Sequence, residues 1–157
     1  MTKGELSYIA GFLDGDGCIM LQLIYRYDYV LGYQIRASIV FYQDSRNSNF
    51  LSWLKEKLEF GYIRARNDGM SEYTIVGVEA VSKVLKSLKP YIKLKEKQVN
   101  LTLEVLKEMP GQGRKMTPEK LLELSKKVDG FLYLNYSKKR TNTSIKVEEF
   151  LKSKNLL

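Results

Sequence analysis

The sequence predicts an α+β fold, αββαββα in chain order, with a four-stranded antiparallel sheet and additional C-terminal helices. Three observations carry this prediction. Two pairs of segments alternate apolar and polar residues with a period of two. Apolar residues before and between those pairs recur at helical spacing, and the chain beyond residue 78 keeps the helical period.

The first helix is expected over residues 5–13. Next, Ile19, Leu21, Leu23, Tyr25 and Tyr27 alternate with Met20, Gln22, Ile24 and Arg26, which predicts a strand with its first set buried. Residues 33–42 repeat the pattern: Ile35, Ala37, Ile39 and Phe41 lie on one side, and Gln34, Arg36, Ser38, Val40 and Tyr42 on the other. The loop over 28–32 joins the two strands as a hairpin. Phe50, Leu51, Leu54 and Leu58 then mark a helix that Gly61 is expected to end. Residues 62–66 and 72–76 flank Asn67-Asp68-Gly69, whose Asp-Gly pair signals a second hairpin. Three helices follow. One covers 78–88 with Val81, Leu85 and Leu88 in register and stops at Pro90. The next covers 94–109 with Val99, Leu103, Leu106 and Met109, ending at Pro110-Gly111. Thr117-Pro118-Glu119 is an N-cap with proline at the first helical position, opening a helix that presents Leu121, Leu124, Val128 and Phe131. A basic, Ser/Thr-rich segment at 135–144 precedes a last short helix. With no repeat and no long linker, residues 1–157 are expected to form a single domain, 111–157 being a helical extension packed on the core.

Composition narrows the chemistry. A chain of 157 residues buries roughly 70% of its unfolded surface, enough for a core without disulfide or metal staples. Lys and Arg number 26 against 18 Asp and Glu, a net charge of +8 with a pI near 9.4, which favours a polyanionic partner. There is no histidine, which excludes Ser-His-Asp and Cys-His hydrolases and His-containing zinc sites. The single cysteine, Cys18, excludes zinc ribbons, iron–sulfur clusters and an intrachain disulfide. What remains is carboxylate, Lys, Arg, Tyr and amide chemistry, or a hard cation on oxygen ligands. No apolar run approaches the roughly 18 residues of a membrane span, and no signal peptide is present, so a soluble protein without a membrane partner is expected.

The polar faces of the two hairpins carry Gln22, Ile24, Arg26, Gln34, Arg36, Ser38, Val40, Tyr42, Arg64, Arg66, Glu72 and Thr74. Amides and guanidinium groups make bidentate contacts to base edges, and a β-ribbon fits the major groove. An ordinary solvated sheet face alternates in the same way, so this pattern alone leaves both readings open. A strand over 33–43 would follow about 35 Å of groove, about ten base pairs, and a dimer about twenty.

Ser7, Gly11 and Gly15 are four residues apart and form a thin stripe on the first helix. Glycine costs roughly 1 kcal/mol against alanine inside a helix, so it is expected where another backbone comes close. A second copy of the same helix is the natural partner, and pairing would bring together two copies of Asp16. Phosphodiester cleavage by divalent ions needs such carboxylates, and a backbone carbonyl at a helix end is a further hard oxygen ligand. A helix stop followed by a tight turn explains an isolated DGDG equally well.

The stretch YIAGFLDGDGCI at residues 8–19 resembles the motif of the LAGLIDADG homing endonucleases, specifically the single-motif members that act as homodimers. GYIRAR at 61–66, PYIKLKEKQVN at 90–100 and LNYSKKRTNTS at 134–144 extend the resemblance in the right order. It implies that Asp16 is the metal-binding catalytic carboxylate and that Gly15 supplies a carbonyl ligand. It gives Asp14 a capping and interface role beside Ser7, Gly11, Phe12 and Gly15. Gln43 corresponds to a polar residue that orients water, and Lys95, between Lys93 and Lys97, to a cation beside the scissile phosphate. Where comparable members carry a basic residue four positions after the glutamine, this chain has Asn47, with Arg46 next to it.

The resemblance further implies base contacts from Gln22, Ile24, Arg26, Gln34, Arg36, Ser38, Tyr42, Arg64, Arg66, Glu72 and Thr74. Tyr29 would contact outer base pairs, and Ser137, Lys138, Lys139 and Arg140 the DNA backbone. The expected activity is a Mg²⁺-dependent double-strand break leaving short 3′ overhangs, Mn²⁺ or Ca²⁺ occupying the same sites, for intron homing. The partners are double-stranded DNA and a second copy, and the expected compartment is a chloroplast or mitochondrion whose genome encodes the chain, otherwise the cytoplasm. Two other outcomes fit the same residues: an intron-RNA splicing maturase, and a DNA-binding regulator without catalysis.

Overall fold

The computed structural model describes residues 1–135 and 139–157. In chain order the elements are α1 (Lys3–Asp16), β1 (Gly17–Tyr25), β2 (Tyr33–Asp44), α2 (Ser48–Leu58), β3 (Tyr62–Ala65), β4 (Met70–Val76), α3 (Val78–Leu88), α4 (Glu96–Glu108), α5 (Pro118–Val128) and α6 (Ser144–Ser153). The strands form one sheet in the order β1-β2-β4-β3, with β4 antiparallel to both β2 and β3. The predicted α+β class, helix–strand order and four-stranded sheet are all present. Among the described residues no helix is long and apolar enough to cross a membrane.

Two compact units can be described in turn. The first comprises Met1–Met20 and Ala37–Val99. Its core joins Ile9, Ala10 and Leu13 of α1, Ile39 and Phe41 of β2, Leu51 and Leu54 of α2, Tyr73 and Ile75 of β4, and Val81, Leu85 and Leu88 of α3. Burying each of the Ile, Leu, Val and Phe side chains in this set contributes about 1.5–3 kcal/mol. The Tyr73 hydroxyl donates to the Phe60 carbonyl at 2.5 Å, which satisfies the one polar atom of a fully buried ring. α1 starts with a capping box in which the Thr2 hydroxyl accepts from the Glu5 N–H and the Glu5 carboxylate accepts from the Thr2 N–H. It continues to Asp16, past the predicted end at residue 13.

The second unit comprises Leu21–Arg36 and Asn100–Leu157. Its core includes Leu21, Leu23, Val105, Leu121, Leu124, Val128, Phe131, Val147 and Leu151. Asp129 caps α6 by accepting from the Ser144 N–H at 3.1 Å and from its hydroxyl.

Several expectations are corrected. α2 ends at Leu58, and its C-cap Glu59 takes the left-handed conformation (φ 65°). Gly61 is required by a close approach instead: at φ +82° a Cβ there would lie 2.2 Å from the Thr74 carbonyl oxygen. The helix expected from residue 94 begins at Glu96, because the preceding backbone is held by Asp14. The helix expected to reach Phe131 stops at Val128 and tightens into a 3₁₀ turn. Tyr25 and Tyr27 are exposed rather than buried, Tyr27 at 92%. Ser38, Val40 and Thr74, expected on the open face, are buried. β2 and β4 are the inner strands, and Thr74 sits in a cross-strand row between Val40 and Tyr62, so short side chains there are shaded by their neighbours.

Candidate metal centre and nucleic-acid interface

The two acids of the glycine-rich helix end have different environments. Asp14 is buried, and its carboxylate accepts three backbone hydrogen bonds: from Lys93 at 2.7 Å, Leu94 at 3.1 Å and Lys95 at 3.1 Å. The Lys95 ammonium in turn donates to the Asp14 carbonyl oxygen. Asp16, at the last position of α1, is exposed. Carbonyls in the last helical turn lack intrahelical partners, so Gly15 and Asp16 together present hard oxygen donors at one end of α1. These donors fit a cation of the Mg²⁺, Mn²⁺ or Ca²⁺ type. Among the described residues no three acids, cysteines or histidines cluster; of the two acids at this helix end, Asp14 is buried and hydrogen-bonded and Asp16 is exposed.

Gln43 ends the core-facing row of β2, paired in register with Ser71. Its side-chain oxygen accepts from the Asp44 N–H at 3.0 Å and from the Asn47 amide at 3.2 Å. Arg46 is turned onto Asp44, its Nε and Nη2 donating to the two carboxylate oxygens at 3.0 and 2.9 Å. The residue beside Gln43 is therefore Asn47, while Arg46 is charge-compensated. Cys18 is half-buried, and burial pushes its thiol up while the Lys95 charge opposes that shift.

On the same unit, Arg64 pairs with Glu72 at 2.6 Å, its partner in strand register, and Tyr42 lies opposite Glu72 on the other side. Arg66 pairs with Asp68 at 2.9 Å and approaches Glu72 at 4.0 Å. Tyr42, Arg64, Glu72 and Arg66 thus form one polar row, the Tyr42 hydroxyl being pushed up first by burial. Ser38 and Thr74, at 2% and 6% exposure, do not stand in that row as open groups.

In the second unit Gln22, Ile24 and Arg36 are half-buried, and Arg26, Tyr29 and Gln34 are exposed. The Arg26 guanidinium donates to Asp28 through Nε at 3.1 Å and Nη2 at 2.7 Å, and to the Gln34 oxygen through Nη1 at 3.2 Å. The Arg140 side chain is engaged by main-chain carbonyls. Its Nη1 donates to the Val128 carbonyl at 3.1 Å and its Nη2 to the Leu21 carbonyl at 2.9 Å, and burial lowers its pKa against the opposing Asp129 charge. Lys139 is exposed, whereas Ser137 and Lys138 lie outside the described residues.

Along α1, Ser7, Gly11 and Gly15 are exposed, and a methyl group placed at either glycine would meet nothing within 4 Å. Phe12 is engaged within the chain, stacked on Phe41 at 5.9 Å and edge-on to Phe50 at 4.8 Å. Sequence reasoning missed the acids that hold the arginines, Asp28, Asp44 and Asp68. Each lies two positions from its partner at a turn or at the start of a 3₁₀ helix, where no strand or helix periodicity marks the pairing.

Known proteins share this arrangement of elements. The model of the LAGLIDADG endonuclease family matches residues 9–107. DNA endonuclease I-CvuI of Chlorella vulgaris is 37% identical over 148 residues, covering 94% of this chain and 90% of the relative. DNA endonuclease I-CreI of Chlamydomonas reinhardtii is 35% identical over 152 residues, 97% and 91% respectively. The crystal structure of homing endonuclease I-CvuI in complex with its target, in the presence of Ca, superposes with a TM-score of 0.91 at 36% identity over 98% of this chain and 96% of that one. With the fold, the motif helix and nearly the full length in common, the chain belongs to the LAGLIDADG endonuclease family and is a DNA endonuclease.

Proposed function

We propose that residues 1–157 act as a single domain of a homodimeric, Mg²⁺-dependent, site-specific endonuclease that cuts both strands of a pseudo-palindromic DNA site of about twenty base pairs for intron homing. The observation that carries this reading is the contrast between Asp14, buried and saturated by three N–H groups, and Asp16, exposed at the end of the same helix. Only the second is available to a ligand.

Asp16 and the Gly15 carbonyl would hold the divalent ion as hard oxygen ligands. The ion, when bound, supplies Lewis-acid stabilisation of charge on the reacting phosphate. The chain's own groups arrange the remainder. Lys95 keeps a positive charge at the C-terminal end of α1, where it offsets both the helix dipole and charge developing on the phosphate. Gln43 has its oxygen engaged, so its amide nitrogen is the end left to orient water or a phosphate oxygen.

Two strands require two such centres. The open Gly11–Gly15 stripe, where an added methyl group would meet nothing within 4 Å among the described residues, supports pairing with a second copy. The organelle compartment, chloroplast or mitochondrion, belongs to the same proposal through the resemblance.

Asp16→Asn tests the reading. The variant is expected to bind a cleavable duplex with undiminished affinity and to yield no double-strand product with Mg²⁺. Cutting at the wild-type rate would overturn the role given to Asp16.

A further inference from the structure

The tip of the β1–β2 hairpin is braced from within. Arg26 N–H donates to the Gly32 carbonyl at 2.8 Å, Gly32 N–H to the Tyr29 carbonyl at 2.8 Å, and Tyr29 N–H to the Arg26 carbonyl at 3.2 Å. On this loop Asp28 grips one edge of the Arg26 guanidinium with both carboxylate oxygens, and Gln34 accepts from Nη1. Side-chain exposures of 48% and 50% for Arg26 and Asp28 mean that the pair adds little to stability. Its effect is orientation.

A guanidinium gripped along its Nε–Nη2 edge cannot swing freely, and its remaining Nη hydrogens face the other way. Arginine has no acceptor, so the Gln34 atom facing it is the oxygen, and the Gln34 NH₂ is the end left for a ligand. The unit therefore offers a row of donors. Guanine alone among the bases presents two acceptors, N7 and O6, on its major-groove edge, while adenine and cytosine each place a donor there. Asp28 also cancels the net charge of Arg26, which weakens its pull toward backbone phosphates and favours a base edge.

We propose that Asp28 is a positioning residue that presents Arg26, together with Gln34, to one guanine in each half of the DNA target. This rests on the endonuclease function proposed above.

The test selects from a randomised duplex library the molecules cut with Mg²⁺ and, separately, those bound with Ca²⁺, using the wild type, Asp28→Asn and Arg26→Lys. The wild type is expected to enrich guanine at one position per half-site, and Asp28→Asn to lose about tenfold of that enrichment with other positions unchanged. Arg26→Lys, which keeps the charge and loses the fork, is expected to lose the same preference. Freed from Asp28, Arg26 is also expected to steepen the slope of log affinity against log salt by about 0.9. Identical base preferences for the wild type and Asp28→Asn would overturn the inference while leaving the endonuclease reading intact. If the wild type cuts nothing yet binds DNA, the endonuclease reading fails and the bound pools decide the inference by the same criteria. If it neither cuts nor binds, both fail.

Discussion

Asp14 and Lys95 are joined twice: the Asp14 carboxylate accepts the Lys95 backbone N–H at 3.1 Å, and the Lys95 ammonium donates to the Asp14 main-chain carbonyl. The first bond fixes where α4 begins, and the second fixes where the lysine charge sits relative to Asp16, two residues further along α1. Asp14→Ala would strand three backbone donors, two others being those of Lys93 and Leu94. At about 1–3 kcal/mol for each unsatisfied buried group, partly relieved by water, a loss of about 3 kcal/mol is expected. Urea midpoints measure it, and Asp14→Asn, which keeps one acceptor oxygen, should lie between the two.

The periodic elements were legible because burial on one face writes itself into the sequence at a spacing of two or of 3.6. Depth was not. Alternation assigned Ser38 and Thr74 to a face but did not show that inner strands shade small side chains. The separate fates of Asp14 and Asp16 were also hidden, since the N–H groups that saturate Asp14 come from about eighty positions away. The resemblance to a family supplied that distinction. By contrast, Arg26 with Asp28, Asp44 with Arg46 and Arg66 with Asp68 lay in plain view two residues apart.

Glu108 predicts how the second unit responds to acid. Its carboxyl, gripped first by Lys127 and then by Lys120, falls from the ordinary 4.5 to about 2. A depressed folded-state pKa gives stability that is fully present above the unfolded value and is lost as pH falls through the folded one. The stability difference between the wild type and Glu108→Gln should hold steady above about pH 5.5 and shrink between 4.5 and about 2. Denaturant titrations across that range measure it, and raised salt should reduce the difference because both lysines are partly exposed.

Gly32 has two separate reasons to be glycine. Its φ is +70°, and a Cβ would lie 2.3 Å from the Phe150 ring, which packs edge-on against Tyr25 and Tyr33. Gly32→Ala should cost about 1–2 kcal/mol for the backbone conformation and about 1–3 for overpacking. In Gly32→Ala/Phe150→Ala the steric part disappears and the backbone part stays, so the double variant should be less destabilised than the sum of the singles. Additive losses in thermal or urea unfolding would show that the ring does not meet that position.

Gly11 separates the chain's own needs from those of a partner by the sign of the effect. Nothing within 4 Å opposes a methyl group there, and glycine inside a helix is about 1 kcal/mol less favourable than alanine. For an isolated chain, Gly11→Ala should therefore raise stability by up to about 1 kcal/mol. If the α1 helices of two copies pack through the Ser7–Gly11–Gly15 stripe, the methyl group instead holds the backbones apart, and Gly11→Leu does so further. The expected result is that Gly11→Leu sediments as a folded monomer at concentrations where the wild type is a dimer, and yields no double-strand cut. Its unfolding midpoint should also stop depending on protein concentration, because dimerisation no longer contributes to stability. A Gly11→Leu dimer that cuts like the wild type would place the second copy on another face of the chain.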